Sequence, residues 1–155
     1  PNKDDWESTR DAIYHRYQLE RTDGYVYREP FDGGINFAAS LVSLFYGEGN
    51  IARTIQIGSL AGWDSDNPTA TWGGLLGFII GPQGIAEAFS QSNLSDTYWI
   101  HRTRRNFPDK TQDALGEDSF SKMAEREMRT VDRVVVQRMK GSITTDGQYW
   151  VIPIH

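Results

Sequence analysis

The chain has no cysteine. Disulfides, thiol nucleophiles and cysteine-built zinc sites are therefore excluded. It has no apolar run approaching the ~20 residues that cross a bilayer, and no signal-peptide pattern, so no membrane partner is expected. Positive charge is in deficit: 16 Lys and Arg against 21 Asp and Glu leave a net charge of −5 at pH 7. General nucleic-acid binding is not expected of a chain with that balance. Histidine is scarce, and His15, His101 and His155 have no partner at metal-ligand spacing. No internal repeat or low-complexity tract occurs.

What remains is a chain of 155 residues, 38% hydrophobic and 24% charged, enough to bury one core. The pattern is mostly helical. A helix is expected from Asp4 to about Leu19, capped by Asp4 or Asp5, with Trp6, Ile13 and Tyr17 on one face. Turn signals follow at Asp23-Gly24, Glu29-Pro30 and Asp32-Gly33-Gly34. Ile35 to Tyr46 is apolar almost all round and reads as a buried helix. Gly47 to Asn50 is a turn, and Asn50 caps a helix from Ile51 to Ala61. Another helix is expected from Pro68 to about Ile80, stopped by Gly81-Pro82, with a short one over Gln83 to Phe89. Ser90 to Glu117 is polar and irregular. Ser119 to Arg138 is amphipathic at helical spacing. The tail, Ser142 to Thr145, Asp146-Gly147 and Gln148 to Ile152, reads as a β-hairpin.

The segment with most chemistry is Gly62-Trp63-Asp64-Ser65-Asp66-Asn67-Pro68. Two carboxylates stand two apart in front of a helix start, and residues two apart in extended chain point the same way. Magnesium and calcium take oxygen ligands of this kind. Pro68 suits the first helical position and Asn67 the cap. The carboxylates would then lie at the positive end of the helix dipole, which favours their ionised form. Capping residues before a helix are also common, so Asp-x-Asp alone is a weak signal. A calcium EF-hand loop is excluded, because Pro68, Thr69 and Leu75 occupy its fifth, sixth and twelfth positions. A phosphotransfer Asp-x-Asp-x-Thr loop is disfavoured, because Pro68 replaces the Thr and the preceding segment reads as helix. Gly73, Gly77 and Gly81 lie four apart, on one helix face, where another backbone is expected to come close.

Gly62 to Gly74, with the run from Gly34 through Asn50, resembles the second metal motif of the ADP-ribosylglycohydrolase superfamily and the two helices that lead into it. The resemblance is specific over Gly33 to Gly81. It implies an all-α, compact orthogonal helical bundle of the ADP-ribosylglycohydrolase type, here with a small C-terminal β-hairpin. It further implies two Mg2+ ions in the complete site and hydrolysis at the anomeric carbon of ADP-ribose or a related ribosyl group. By position, Asp64 and Asp66 would be the metal-holding and catalytic residues. Asn67 stands where the family usually has a metal-binding Thr, so its amide oxygen would be a third ligand unless it caps the helix. The family's N-terminal half-site has no counterpart here. The chain is thus read as a single domain or as the C-terminal portion of a larger one, completed by an N-terminal half or a partner chain. Its other expected partner is an ADP-ribose-like small molecule or an ADP-ribosylated protein.

Gly33, Gly34 and Asn36 are candidate substrate contacts, since a glycine loop before a helix lets amides approach phosphate; the other reading is a plain turn. Trp63, a further candidate substrate contact, could wall the site or stack on a base or sugar; the other reading is an ordinary core tryptophan. His101-Arg102-Thr103-Arg104-Arg105 is either a pyrophosphate-binding cluster or a solvated patch. Two further functions compete with the hydrolase: a non-catalytic ADP-ribose-binding or structural member of the same fold, and a glycosidase acting on another nucleoside-like molecule. A cytoplasmic location is favoured, although a chain that begins at Pro1 leaves the compartment open.

Overall fold

The computed structural model describes residues 4–97 and 119–154; the basic cluster from His101 to Arg105 lies outside them. They are mostly helical and fall into two units, Pro1–Leu94 and Ser95–His155. No helix among the described residues is long and apolar enough to cross a membrane.

In the first unit Asp5 accepts a hydrogen bond from the Ser8 amide at 3.1 Å and starts α1, Trp6–Ile13. The helix widens into a π-helical stretch, Tyr14–Leu19. Asp32 caps α2, Gly33–Gly47, by accepting from the Gly34 and Ile35 amides at 3.1 and 3.3 Å. Asn50 caps α3, Ile51–Ala61, through the Arg53 amide at 2.9 Å. Helix α4, Asp66–Ala88, is broken at Gly81, whose φ of 70° and ψ of 176° are not helical. Gly81-Pro82 thus ends one helical segment and opens another.

Helix α3 packs against both α2 and α4, and α1 lies on α2. Ile35, Ala39 and Val42, spaced by a helical turn, meet Ile51, Ile57, Ala61 and Leu76 in the core. Only one side of α2 is buried: Phe37 and Phe45 are 65% and 70% exposed. Its all-round apolar pattern therefore overstates its burial.

The glycine stripe on α4 also has a different use from the expected one. Gly73 and Gly77 face the isoleucine side chains Ile55 and Ile85, and Gly81 faces nothing and supplies the break. The close helix approaches are at Gly47 and Gly58. A methyl group on Gly47 would collide with the side chain and backbone of Thr54, and one on Gly58 would lie 3.2 Å from Thr69 Cγ2 and 3.5 Å from Ser43 Cβ.

Thr54 is buried, and its Oγ1 has no hydrogen-bond partner among the described atoms. An orphaned buried hydroxyl costs about 1–3 kcal/mol, and its removal by an apolar group of the same shape recovers part of that. Thr54→Val is therefore expected to raise stability by about 1 kcal/mol, read from chemical denaturation. A lower midpoint would show that the hydroxyl is satisfied.

In the second unit Ser119 caps α5, Phe120–Gln137, through the Lys122 amide at 3.3 Å. Asp96 accepts from the Ser119 and Ser121 hydroxyls at 2.6 and 2.8 Å, which hold its carboxyl below the ordinary carboxylate range. Strands β1, Ser142–Ile143, and β2, Trp150–Val151, pair antiparallel, with Ser142 opposite Val151 and Ile143 opposite Trp150. Trp150 Nε1 donates to Asp132 of α5 at 2.8 Å. The hairpin loop is longer than a two-residue Asp-Gly turn. The Gly147 amide donates to Thr144 O at 2.8 Å, and only Gly147 of the pair has positive φ. A type I′ turn needs positive φ at both central residues.

Candidate metal centre

Helix α3 stops at Gly62, φ 100°, and the chain turns through Trp63, φ 55°. A tryptophan in the left-handed region carries backbone strain, a feature that clusters at functional sites. Asp64 and Ser65 follow, and α4 begins at Asp66, two residues before Pro68. Pro68 is tolerated there because the first-turn amides of a helix have no intrahelical partner. Asn67 is consequently the second helical residue and not the cap. Ser65 holds the cap position without a side-chain bond, and the Asn67 amide donates to Asp64 O at 3.0 Å. The side-chain amide of Asn67 is thereby not used as a helix cap.

Asp64 and Asp66 lie two apart at the entrance of α4, and hydrogen bonding to Asp66 is the largest influence on the Asp64 carboxyl. That shared hydrogen bond raises the Asp64 carboxyl above its ordinary value, and desolvation and the Asp66 charge act in the same direction. The expected preference for the ionised form at the helix dipole is overridden at Asp64 by the neighbouring like charge. The folded state then binds more protons than the unfolded chain just above the ordinary carboxylate pKa. The contribution of this group to stability falls as pH rises through that window and is level above it. A dication needs both carboxylates ionised, so its affinity rises with pH through the same window. We expect the Asp64 carboxyl carbon to titrate above the ordinary range by NMR, and Asp66→Asn to bring its midpoint down. An ordinary midpoint in the unaltered protein would contradict the pairing.

Asn36 holds this loop from below. Buried to 9% exposure, it accepts the Asp64 amide on Oδ1 at 3.0 Å. Its Nδ2 donates to Pro30 O at 2.5 Å and Asp32 O at 2.8 Å. One side chain thus joins the 30–32 turn, α2 and the Asp64 loop. Its side-chain amide is engaged by the protein itself, so Asn36 is placed to position Asp64. The Gly34 amide, like that of Ile35, bonds the Asp32 cap, while Gly33 is exposed at the helix start. The Tyr25 hydroxyl also bonds Asp32 and is the largest cause of its lowered carboxyl pKa.

Trp63 lies half-buried on the wall of an open cleft, with Nε1 donating to Gln18 Oε1 at 2.9 Å. Sequence reasoning had no signal for this pairing, because the two residues are 45 apart in the chain.

Two carboxylates and an amide make an all-oxygen donor set. Magnesium commonly binds one or two carboxylates, with waters and substrate oxygens completing its shell. Among the described residues no group of three or more His, Asp or Glu gathers around one point. The residues present fit magnesium as a two-carboxylate site that other ligands complete. No family model, no curated protein and no solved structure matches the chain.

Proposed function

We propose that this chain carries the second metal half-site of a magnesium-dependent hydrolase that cleaves at the anomeric carbon of ADP-ribose or a related ribosyl group. The observation that carries the reading is the paired Asp64 and Asp66 at the entrance of α4, with Asp64 raised by the pairing. The resemblance of Gly62 to Gly74 to the ADP-ribosylglycohydrolase motif supplies the reaction class, and the orthogonal bundle of that family is the fold proposed with it.

Asp64, Asp66 and Asn67 would hold the magnesium. When bound there it holds ribose hydroxyls and lowers the pKa of a water. Asn36 fixes the Asp64 backbone, so the carboxyl is oriented before any ligand arrives. Asp64 gives up its proton as the site fills, which couples binding to pH. Apolar side chains left open on α2 and α4, among them Phe37, Phe45, Phe78 and Ile79, support a further segment or partner chain that completes the domain.

The test is release of ADP-ribose from an ADP-ribosylated peptide by the intact protein that carries this chain, with magnesium and with chelator. Magnesium-dependent release supports the proposal. Binding of ADP-ribose without turnover would replace it with the non-catalytic reading, and neither would remove both.

A further inference from the structure

Helices α2 and α4 each turn one side to α3 and leave another open. On α2, Ile35, Ala39 and Val42 are buried, while Phe37 and Phe45 stand open. On α4, Leu76 is buried, while Leu75, Phe78 and Ile79 are 50%, 76% and 69% exposed. The two open sides adjoin. Trp72 Nε1 of α4 donates to Ser40 O of α2 at 2.8 Å. Phe37 lies one turn before Ser40, and Leu75 and Ile79 lie one and two turns after Trp72, so each shares a helix face with one end of that bond. Phe45 and Phe78 extend the two stripes, two turns after Phe37 and one after Leu75.

Two quantities narrow what covers this face. The first is area. Phe37, Phe45, Leu75, Phe78 and Ile79 leave roughly 600 Å² of apolar surface open, taking about 200 Å² for a whole phenylalanine. A standard interface takes about 800 Å² from each partner, and about 65% of a homodimer interface is apolar. The face alone supplies that apolar share. The second is charge. The chain is 24% charged, yet no charged residue occurs from Gly33 to Gly47 or from Asn67 to Ala86. A partner chosen by opposite charge finds nothing to pair with there, whereas an identical copy, itself at −5, meets no like charge. A two-fold axis sets the same patch against itself, and an uncharged apolar patch is self-complementary without any matched pattern of charges.

We infer that the open α2–α4 face is an isologous interface and that a second copy of this chain covers it. The partner chain left open under the proposed function is thereby a copy of the same protein. The inference does not rest on the hydrolase reading, since neither the area nor the charge of the face involves Asp64 or Asp66.

The test is the mass in solution of the intact protein that carries this chain, by light scattering from micromolar concentration upward. Twice the mass of one chain is expected. Phe78→Glu alters a symmetric interface twice and is expected to raise the dimer Kd by at least about a hundredfold, and Phe45→Glu likewise. Both side chains are exposed, so a thermal melt of each separated monomer is expected to show folded protein. Val26→Glu is the control: it adds the same charge at an exposed apolar residue outside both helices, and the doubled mass is expected to remain. A single-chain mass at every concentration overturns the inference without any variant, whether the face is bare or covered by a further segment of its own chain. So does a doubled mass that survives Phe45→Glu and Phe78→Glu together, or one lost equally in Val26→Glu. Failure of the hydrolase reading looks different: the mass is doubled as described while ADP-ribosylated peptide is not cleaved.

Discussion

Asp66→Ala is expected to lower magnesium-dependent hydrolysis by more than about a hundredfold. Loss of an outer hydrogen-bond partner of a metal ligand already costs about 10–100-fold, and Asp66 is proposed as a ligand itself. The side chain is exposed, and Asp64 is the partner through which it acts. Its removal relieves a like-charge contact and leaves the core untouched, so folding is not expected to suffer. Steady-state rates with saturating magnesium, beside a thermal melt of each protein, separate the two effects. Unchanged turnover would remove Asp66 from the site. An equal loss of turnover and of folded protein would make its role structural.

The second large effect is at Asn36. Asn36→Leu keeps approximate volume and deletes three hydrogen bonds. Asp32 O still accepts from the Asn36 backbone amide at 3.1 Å, but Pro30 O and the Asp64 amide lose their partners. Two part-buried orphaned groups cost about 1–3 kcal/mol each, so a loss of about 3 kcal/mol is expected. Asn36→Asp discriminates further. It keeps an acceptor for the Asp64 amide but faces two carbonyls with oxygens and adds negative charge near the pair. It is expected to move the Asp64 carboxyl still higher. Denaturation curves give the first number and carboxyl NMR the second. A neutral Asn36→Leu would show that the strut is not needed.

Local chemistry is what the sequence made legible. Asp5 and Asn50 are caps as their positions suggest, because a cap is settled within four residues. The helical character, the break at Gly81-Pro82 and the tail hairpin follow from equally local signals. Asp64 and Asp66 were legible as neighbouring carboxylates at a helix entrance, where α4 begins at Asp66. Errors came where a local rule admits two outcomes or a distant partner decides. Pro68 fits any first-turn position, so its pattern puts the start of α4 two residues late and the cap at Asn67, whereas α4 begins at Asp66. The glycines of α4 looked like a contact stripe. A missing side chain does not reveal whether backbone, another side chain or solvent fills its place, and the tight crossings are at Gly47 and Gly58. Asp146-Gly147 matches a two-residue turn by composition, yet a wider loop forms. Asn36 was legible as a loop residue only, since its partner Asp64 lies 28 residues on. The Gln18 contact of Trp63 was not legible, because the two residues lie 45 apart in the chain.

The most direct measurement is a magnesium titration followed at the carboxyl carbons of Asp64 and Asp66 by NMR, at a pH above the raised Asp64 range. The metal-site account predicts that both resonances move together at millimolar magnesium or below, along one binding curve that Asp64→Asn abolishes. Resonances that stay fixed, or that move no more than those of Asp5 and Asp146, would show that the pair holds a proton and not a metal, and the hydrolase proposal would fall with it.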